Sequence, residues 1–218
     1  MNRERKRANK IVCVEPLLDV DVESYILEQV LDDIGAAIRS VEWPPGSGSF
    51  TLRDEPGKKR GQGNGVKPIK ERCMKELESR GWQREVRVKL SGVRGQMGPV
   101  AGERRPGPLD ATKVTTAGLF GVEWETGNIS SSHRAVNKMA LGILNGVLTG
   151  GILILPTRSM YRYLTDRVGN FPEFAPYFPL WRSLRVKRGF LAVIAVEHDA
   201  VSKLVPRIPK GTNGRALW

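Results

Sequence analysis

Apolar residues recur at intervals of three and four from Leu27 through Val30, Leu31, Ile34 and Ile38 to Val41. This spacing predicts a helix over residues 22–41 that packs by one face. Pro44-Pro45-Gly46-Ser47-Gly48 stops it. Ile69, Cys73, Met74 and Leu77 predict a second amphipathic helix ending at Gly81. Residues 84–105, where basic residues alternate with Gly and Val, read as a strand and then a loop. Residues 107–112 and 119–126 predict two strands joined by a Thr/Gly turn. Val136, Met139, Ala140, Ile143, Leu144 and Val147 mark the buried face of another helix. Ser130, Ser131 and Ser132 are its expected N-cap, and Gly150-Gly151 its expected end. Ile152–Leu155 and Phe190–Val196 are wholly apolar, as in strands covered on both faces. A short helix is expected around 159–168, a Pro- and aromatic-rich loop over 171–181, and a turn-rich tail from Ile208.

Strands and helices alternate after residue 107, which predicts an α/β fold with a mixed central sheet sandwiched by helices. The 218 residues suffice for one domain, expected over 21–218, preceded by a basic, irregular and mobile arm over 1–20.

Charge adds a partner to this picture. Lys and Arg number 35 against 23 Asp and Glu, a formal net charge of +12. Such an excess calls for a polyanion, most simply nucleic acid. A membrane is not expected, because even Leu141–Leu155 is interrupted by Asn145, Thr149 and a Gly pair. The charged start, Met1–Lys10, precedes only a short apolar run, Ile11–Val14, too short for a secretion signal. Cys13 and Cys73 lie far apart, and neither has a His or Cys at ligand spacing. Reduced thiols in a cytoplasm, and no zinc site, are therefore expected.

Within this cationic chain, Gly107-Pro108-Leu109-Asp110 is followed by Glu123-Trp124-Glu125. In a strand, Glu123 and Glu125 share one face, and Phe120, Val122, Trp124 and Thr126 point the other way. Hairpin pairing would bring Asp110 beside Glu123. Carboxylates that close raise one another's pKa unless a cation neutralises them. A hard divalent ion with oxygen ligands, Mg²⁺ for phosphate chemistry, fits that need. Spacing alone also permits an ordinary solvated edge strand.

The same block, continued as Thr126-Gly127-Asn128-Ile129-Ser130-Ser131, resembles the active-site region of the BamHI family of type II restriction endonucleases. The likeness extends through His133-Arg134, Asn137-Lys138, Tyr163-Leu164-Thr165-Asp166-Arg167-Val168, Glu173, Pro176-Tyr177-Phe178 and Ile208-Pro209-Lys210-Gly211. Upstream, Gly63-Asn64-Gly65-Val66, Pro68-Ile69-Lys70-Glu71 and Cys73 fit as well. It covers roughly residues 35–215 and is stronger to a compact branch of the family.

The resemblance implies a PD-(D/E)xK nuclease core in which Glu125 stands where most members carry Lys. It implies that Asp110, Glu123, the Trp124 carbonyl and Glu85 hold two Mg²⁺ ions, with Glu125 as general base. It places Lys70 near the scissile phosphate. Asn128, Ser130, Arg134, Asp166 and Arg167 become the base-reading residues. Arg suits guanine O6 and N7, and Asp suits the cytosine amino group. Lys210, Gly211 and Asn213 fall on the backbone or minor groove, Asn213 replacing the family's usual Asp. The expected partners are double-stranded DNA, a second copy of the chain and a cognate methyltransferase. The expected site is GGATCC, cut after the first G to leave a 5′ overhang. A different GATC-centred site, or a DNA-binding protein without cleavage, are the alternative readings.

The end of the helix lacks the charges that the family uses at its dimer contact. Met139, Ile143 and Val147 are therefore the candidate dimer surface, unless they are core. His133 reads as a hydrogen-bonding surface residue, and His198-Asp199 as a surface pair. Gly61-Gln62-Gly63-Asn64-Gly65 lacks the Lys-Ser/Thr of a phosphate-binding loop.

Overall fold

The computed structural model describes residues 10–57, 62–88, 107–165, 168–212 and 215–216. The elements run β1 (Lys10–Val20), α1 (Ser24–Ser40), β2 (Thr51–Arg53), α2 (Lys67–Ser79), β3 (Gln83–Val86), β4 (Leu109–Thr115), β5 (Gly118–Trp124) and α3 (Ile129–Leu144). There follow β6 (Gly150–Pro156), α4 (Arg158–Tyr161), α5 (Phe171–Phe174), a 3-10 turn (Ala175–Tyr177), α6 (Phe178–Arg182), β7 (Gly189–Glu197) and β8 (Ala200–Ser202). The chain closes with β9 (Gly211–Thr212) and β10 (Arg215–Ala216).

Six strands form a mixed sheet in the order β1-β7-β6-β5-β4-β3. β5, β6 and β7 run parallel to one another, whereas β4 is antiparallel to both β3 and β5, and β1 to β7. The period-two alternation divides the apolar side chains of β6 and β7 between two layers. Ile152, Ile154, Ala192 and Ile194 pack with Ile34 and Ile38 of α1 and with Cys73 and Leu77 of α2. Leu153, Leu155, Leu191 and Val193 pack with Val136, Met139 and Ile143 of α3 and with Phe174 and Trp181. This is the predicted α/β sandwich, and both predicted apolar strands are its centre.

Several local expectations differ. Residues 10–20, expected in the arm, form β1, whose Leu17 and Leu18 are buried in the α3 layer. The arm's first nine residues lie outside the described residues. The cap of α3 is Asn128, whose Oδ1 accepts from the Ser131 N–H; the serines lie inside the helix. Gly150-Gly151 opens β6 rather than ending α3, and Gly146, at φ +67°, lies just beyond the helix end. A Cβ on Gly150 would lie 2.3 Å from the Phe120 ring, and one on Gly151 2.7 Å from Met139, so both admit close neighbours. The expected helix at 159–168 shrinks to α4, and 171–181 is helical rather than a loop, held by stacking of Phe174 on Trp181.

Met139 and Ile143 are core, not a free surface. His133 sits among Phe174, Tyr177 and Trp181, and burial lowers its pKa. His198 pairs with Glu197, while Asp199 accepts from the Phe50 N–H. Both cysteines are free thiols. Among the described residues, no helix is long and apolar enough to cross a membrane.

Candidate functional site

The hairpin register pairs Ala111 with Val122 and Thr112 with Gly121, which puts Asp110 opposite Glu123. Their carboxyl groups meet in a side-chain hydrogen bond. Glu123 is only 6% exposed, because it stands beside Leu153 in the layer that α3 covers. Burial first, and the adjacent Asp110 carboxylate second, push the Glu123 carboxyl up to about 8. The alternative reading of a solvated edge strand is therefore excluded: β5 is covered on both sides.

Each carboxylate takes a lysine from a different layer. Lys70 of α2 stands 2.6 Å from Asp110 Oδ1. Lys138 of α3 pairs with Glu123 Oε1 and donates to the Pro108 carbonyl at 2.8 Å. Asp110 Oδ2 also accepts the Trp124 N–H at 2.9 Å. In a strand a residue's N–H and C=O leave on the same edge, so the Trp124 carbonyl faces Asp110 too.

Glu85 falls opposite Asp110, since Arg84 pairs with Ala111 and Val86 with Leu109. Three acids thus line up across three neighbouring strands. Glu85 is exposed and has φ +53°, a left-handed backbone that an L side chain adopts at a cost. Arg84, next to it, ties β3 to α2 through Glu71 at 2.9 Å.

Glu125 does not join the acids as strand alternation predicts. β5 ends at Trp124, and Glu125 Oε1 turns back to accept from the Thr126 N–H at 2.9 Å and the Gly127 N–H at 2.6 Å. Among the described residues, no three His, Cys, Asp or Glu side chains stand close enough to hold a metal ion. The Asp110–Glu123 pair nevertheless suits one. It is an oxygen donor set, half-sunk in the protein, whose charge two ammonium groups already balance.

The start of α3 presents Asn128, Ser130 and Arg134 to solvent, the last two four residues apart on one helical face. The segment after Arg167 docks beside them through the Gly169 N–H to the Gly127 carbonyl at 2.9 Å. Asp166, Arg167 and Asn213 lie outside the described residues. Lys210 donates to the Gln62 carbonyl, and Gly211 opens β9. Lys138 is the residue that the sequence did not single out for the site. Its signal was an ammonium one residue from Met139 on the buried side of a helix.

The family model for the restriction endonuclease BamHI matches residues 10–215. The type II restriction enzyme OkrAI of Oceanobacter kriegii is 50% identical over 191 residues, covering 88% of this chain and 91% of that enzyme. The type II restriction enzyme BamHI of Bacillus amyloliquefaciens is 35% identical over 194 residues, covering 87% and 83%. Among solved structures, the restriction endonuclease BglII complexed with a DNA 16-mer superposes with a TM-score of 0.58 at 10% identity, covering 90% of this chain and 88% of that one.

Proposed function

We propose that this chain, which belongs to the BamHI family of restriction endonucleases and is a type II restriction enzyme, hydrolyses both strands of DNA at GGATCC after the first G, leaving a 5′ overhang, in a Mg²⁺-dependent reaction. The carrying observation is the pairing of half-buried Asp110 with buried Glu123, where β4 begins and β5 ends, with a lysine from each helical layer, in a chain of net charge +12.

Asp110, Glu123 and the Trp124 carbonyl would hold one Mg²⁺, and Glu85 would reach a second. Bound there, the ion supplies positive charge against the phosphate and lowers the pKa of a water molecule. Lys70 balances Asp110 and lies where a phosphate oxygen can replace the carboxylate as its partner. Glu125 Oε1 is fixed by two backbone N–H groups, which orients the carboxylate so that Oε2 is the atom that takes the proton. Asn128, Ser130, Arg134, Asp166 and Arg167 read base edges in the major groove, while Lys210, Gly211 and Asn213 follow the backbone or the minor groove.

A palindrome cut on both strands calls for a symmetric dimer. A cell producing such an activity needs a methyltransferase that protects the same site, which makes the cytoplasm the expected compartment. Incubating plasmid with and without Mg²⁺ and sequencing the fragment ends tests all of this. Ends at GGATCC only with Mg²⁺ support the proposal; no cleavage, or ends scattered over unrelated sequences, refute it.

A further inference from the structure

Asn64 belongs to no helix or strand, yet it is 0% exposed and uses every hydrogen-bonding position of its amide. Oδ1 accepts from the Arg53 N–H at 3.2 Å and the Ile208 N–H at 3.3 Å. Nδ2 donates to the Arg53 carbonyl at 3.0 Å and the Tyr163 carbonyl at 2.8 Å. One side chain therefore joins the end of β2, the segment that runs into Asp166-Arg167, and the start of the tail.

The surrounding main chain strengthens the joint. The Asn64 N–H donates to the Tyr163 carbonyl at 2.7 Å, and the Thr165 N–H to the Asn64 carbonyl at 2.9 Å. The Gly65 N–H reaches the Ile208 carbonyl at 2.9 Å. Glycines permit this approach. A Cβ on Gly57 would lie 1.5 Å from the Leu164 oxygen, one on Gly63 2.6 Å from the same atom, and one on Gly65 1.9 Å from the Pro209 oxygen. The glycine-rich run that lacks a phosphate-binding signature thus serves as a backbone clamp.

We propose that Asn64 is a positioning residue for target discrimination. Its amide fixes, relative to each other, the Tyr163–Thr165 segment that delivers Asp166-Arg167 and the Ile208–Lys210 segment that delivers the tail. The far end of the first segment is pinned separately, by the Gly169 N–H on the Gly127 carbonyl. Losing the Asn64 amide removes the side-chain bonds that hold Tyr163 and Ile208 in fixed relation and leaves only the main-chain bonds there, while the Asp110–Glu123 pair, which Asn64 does not touch, keeps its partners. The inference rests on the reading that these two segments meet DNA.

The test compares single-turnover cleavage of a duplex carrying the site found from the fragment ends with cleavage of the same duplex changed at one outer G·C pair. The proteins are the native chain, Asn64→Ala, Gly57→Ala and, as reference, Arg167→Ala. Asn64→Ala should lower the ratio of the two rates by at least about tenfold. Its binding to random duplex at low salt should stay within about twofold, because no charge is lost. Gly57→Ala displaces the Leu164 backbone with Asn64 intact and should lower the ratio likewise; it decides the matter if Asn64→Ala does not fold. A preserved ratio with only a lower melting temperature, alongside a reduced ratio for Arg167→Ala, overturns the role of Asn64. A preserved ratio for Arg167→Ala shows instead that the base-reading assignment is wrong, and the inference goes with it.

Discussion

Lys138 reaches from the middle of α3 to the buried carboxyl of Glu123, and the same ammonium is anchored by the Pro108 carbonyl. One helix thus ties together the end of β5 and the residue just before β4. The Glu123 carboxyl remains raised to about 8 even with this partner, because burial and Asp110 outweigh it.

A raised carboxyl pKa has a definite sign for stability. Between the ordinary value of 4.5 and about 8, the folded protein holds a proton that the unfolded chain has released. The contribution of Glu123 to stability is therefore full below pH 4.5, falls as pH rises toward 8 and levels off above it, at a slope of roughly 1 kcal/mol per pH unit. Denaturant unfolding of the metal-free protein from pH 4.5 to 8.5 should show this decline, and Glu123→Gln should remove it. Parallel curves for the two proteins would refute the assignment.

Glu123→Ala should leave specific DNA binding intact while reducing cleavage by about 10²–10³-fold or more. Mobility shifts in Ca²⁺ and cleavage rates in Mg²⁺ measure the two separately. Cleavage at the native rate would remove Glu123 from the chemistry.

At Glu85 the backbone and the proposed chemistry pull in opposite directions. Glu85→Gly relieves the left-handed strain and should raise stability by up to about 1 kcal/mol, less the added freedom of the unfolded chain. The same change should slow Mg²⁺-dependent cleavage. Thermal melts and rates on one preparation check both; unchanged cleavage would make Glu85 a surface residue only.

Arg167→Ala should cost roughly 1–3 kcal/mol of discrimination at a single G·C pair. Binding titrations against duplexes altered one pair at a time measure it. An equal loss on every duplex would reduce Arg167 to a phosphate contact.

The sandwich was legible because the apolar spacing of α1 and the unbroken runs of β6 and β7 reflect burial directly. The Asp110–Glu123 meeting was legible from hairpin register. Glu125 was misplaced because alternation was carried past Trp124, where the chain leaves the sheet and its own following N–H groups recruit the carboxylate. β1 was missed because Glu15 and Asp19 among its apolar residues read as irregular; its pairing with β7 is set by a strand far away in sequence. Lys138 and Asn64 were invisible as functional residues for a related reason. Each acts through partners 11 or more positions away, and no local pattern announces such a meeting.

β3 is the last strand on its side of the sheet, and among the described residues no further strand pairs beyond it. The row running from Glu123 through Asp110 to Glu85 therefore leads toward a margin of the sheet, not around a closed barrel. If the proposed site is this row, a long polymer should be able to reach it from the side at any point along its length. Closed circular DNA, having no terminus to thread, should be as good a substrate as a linear fragment.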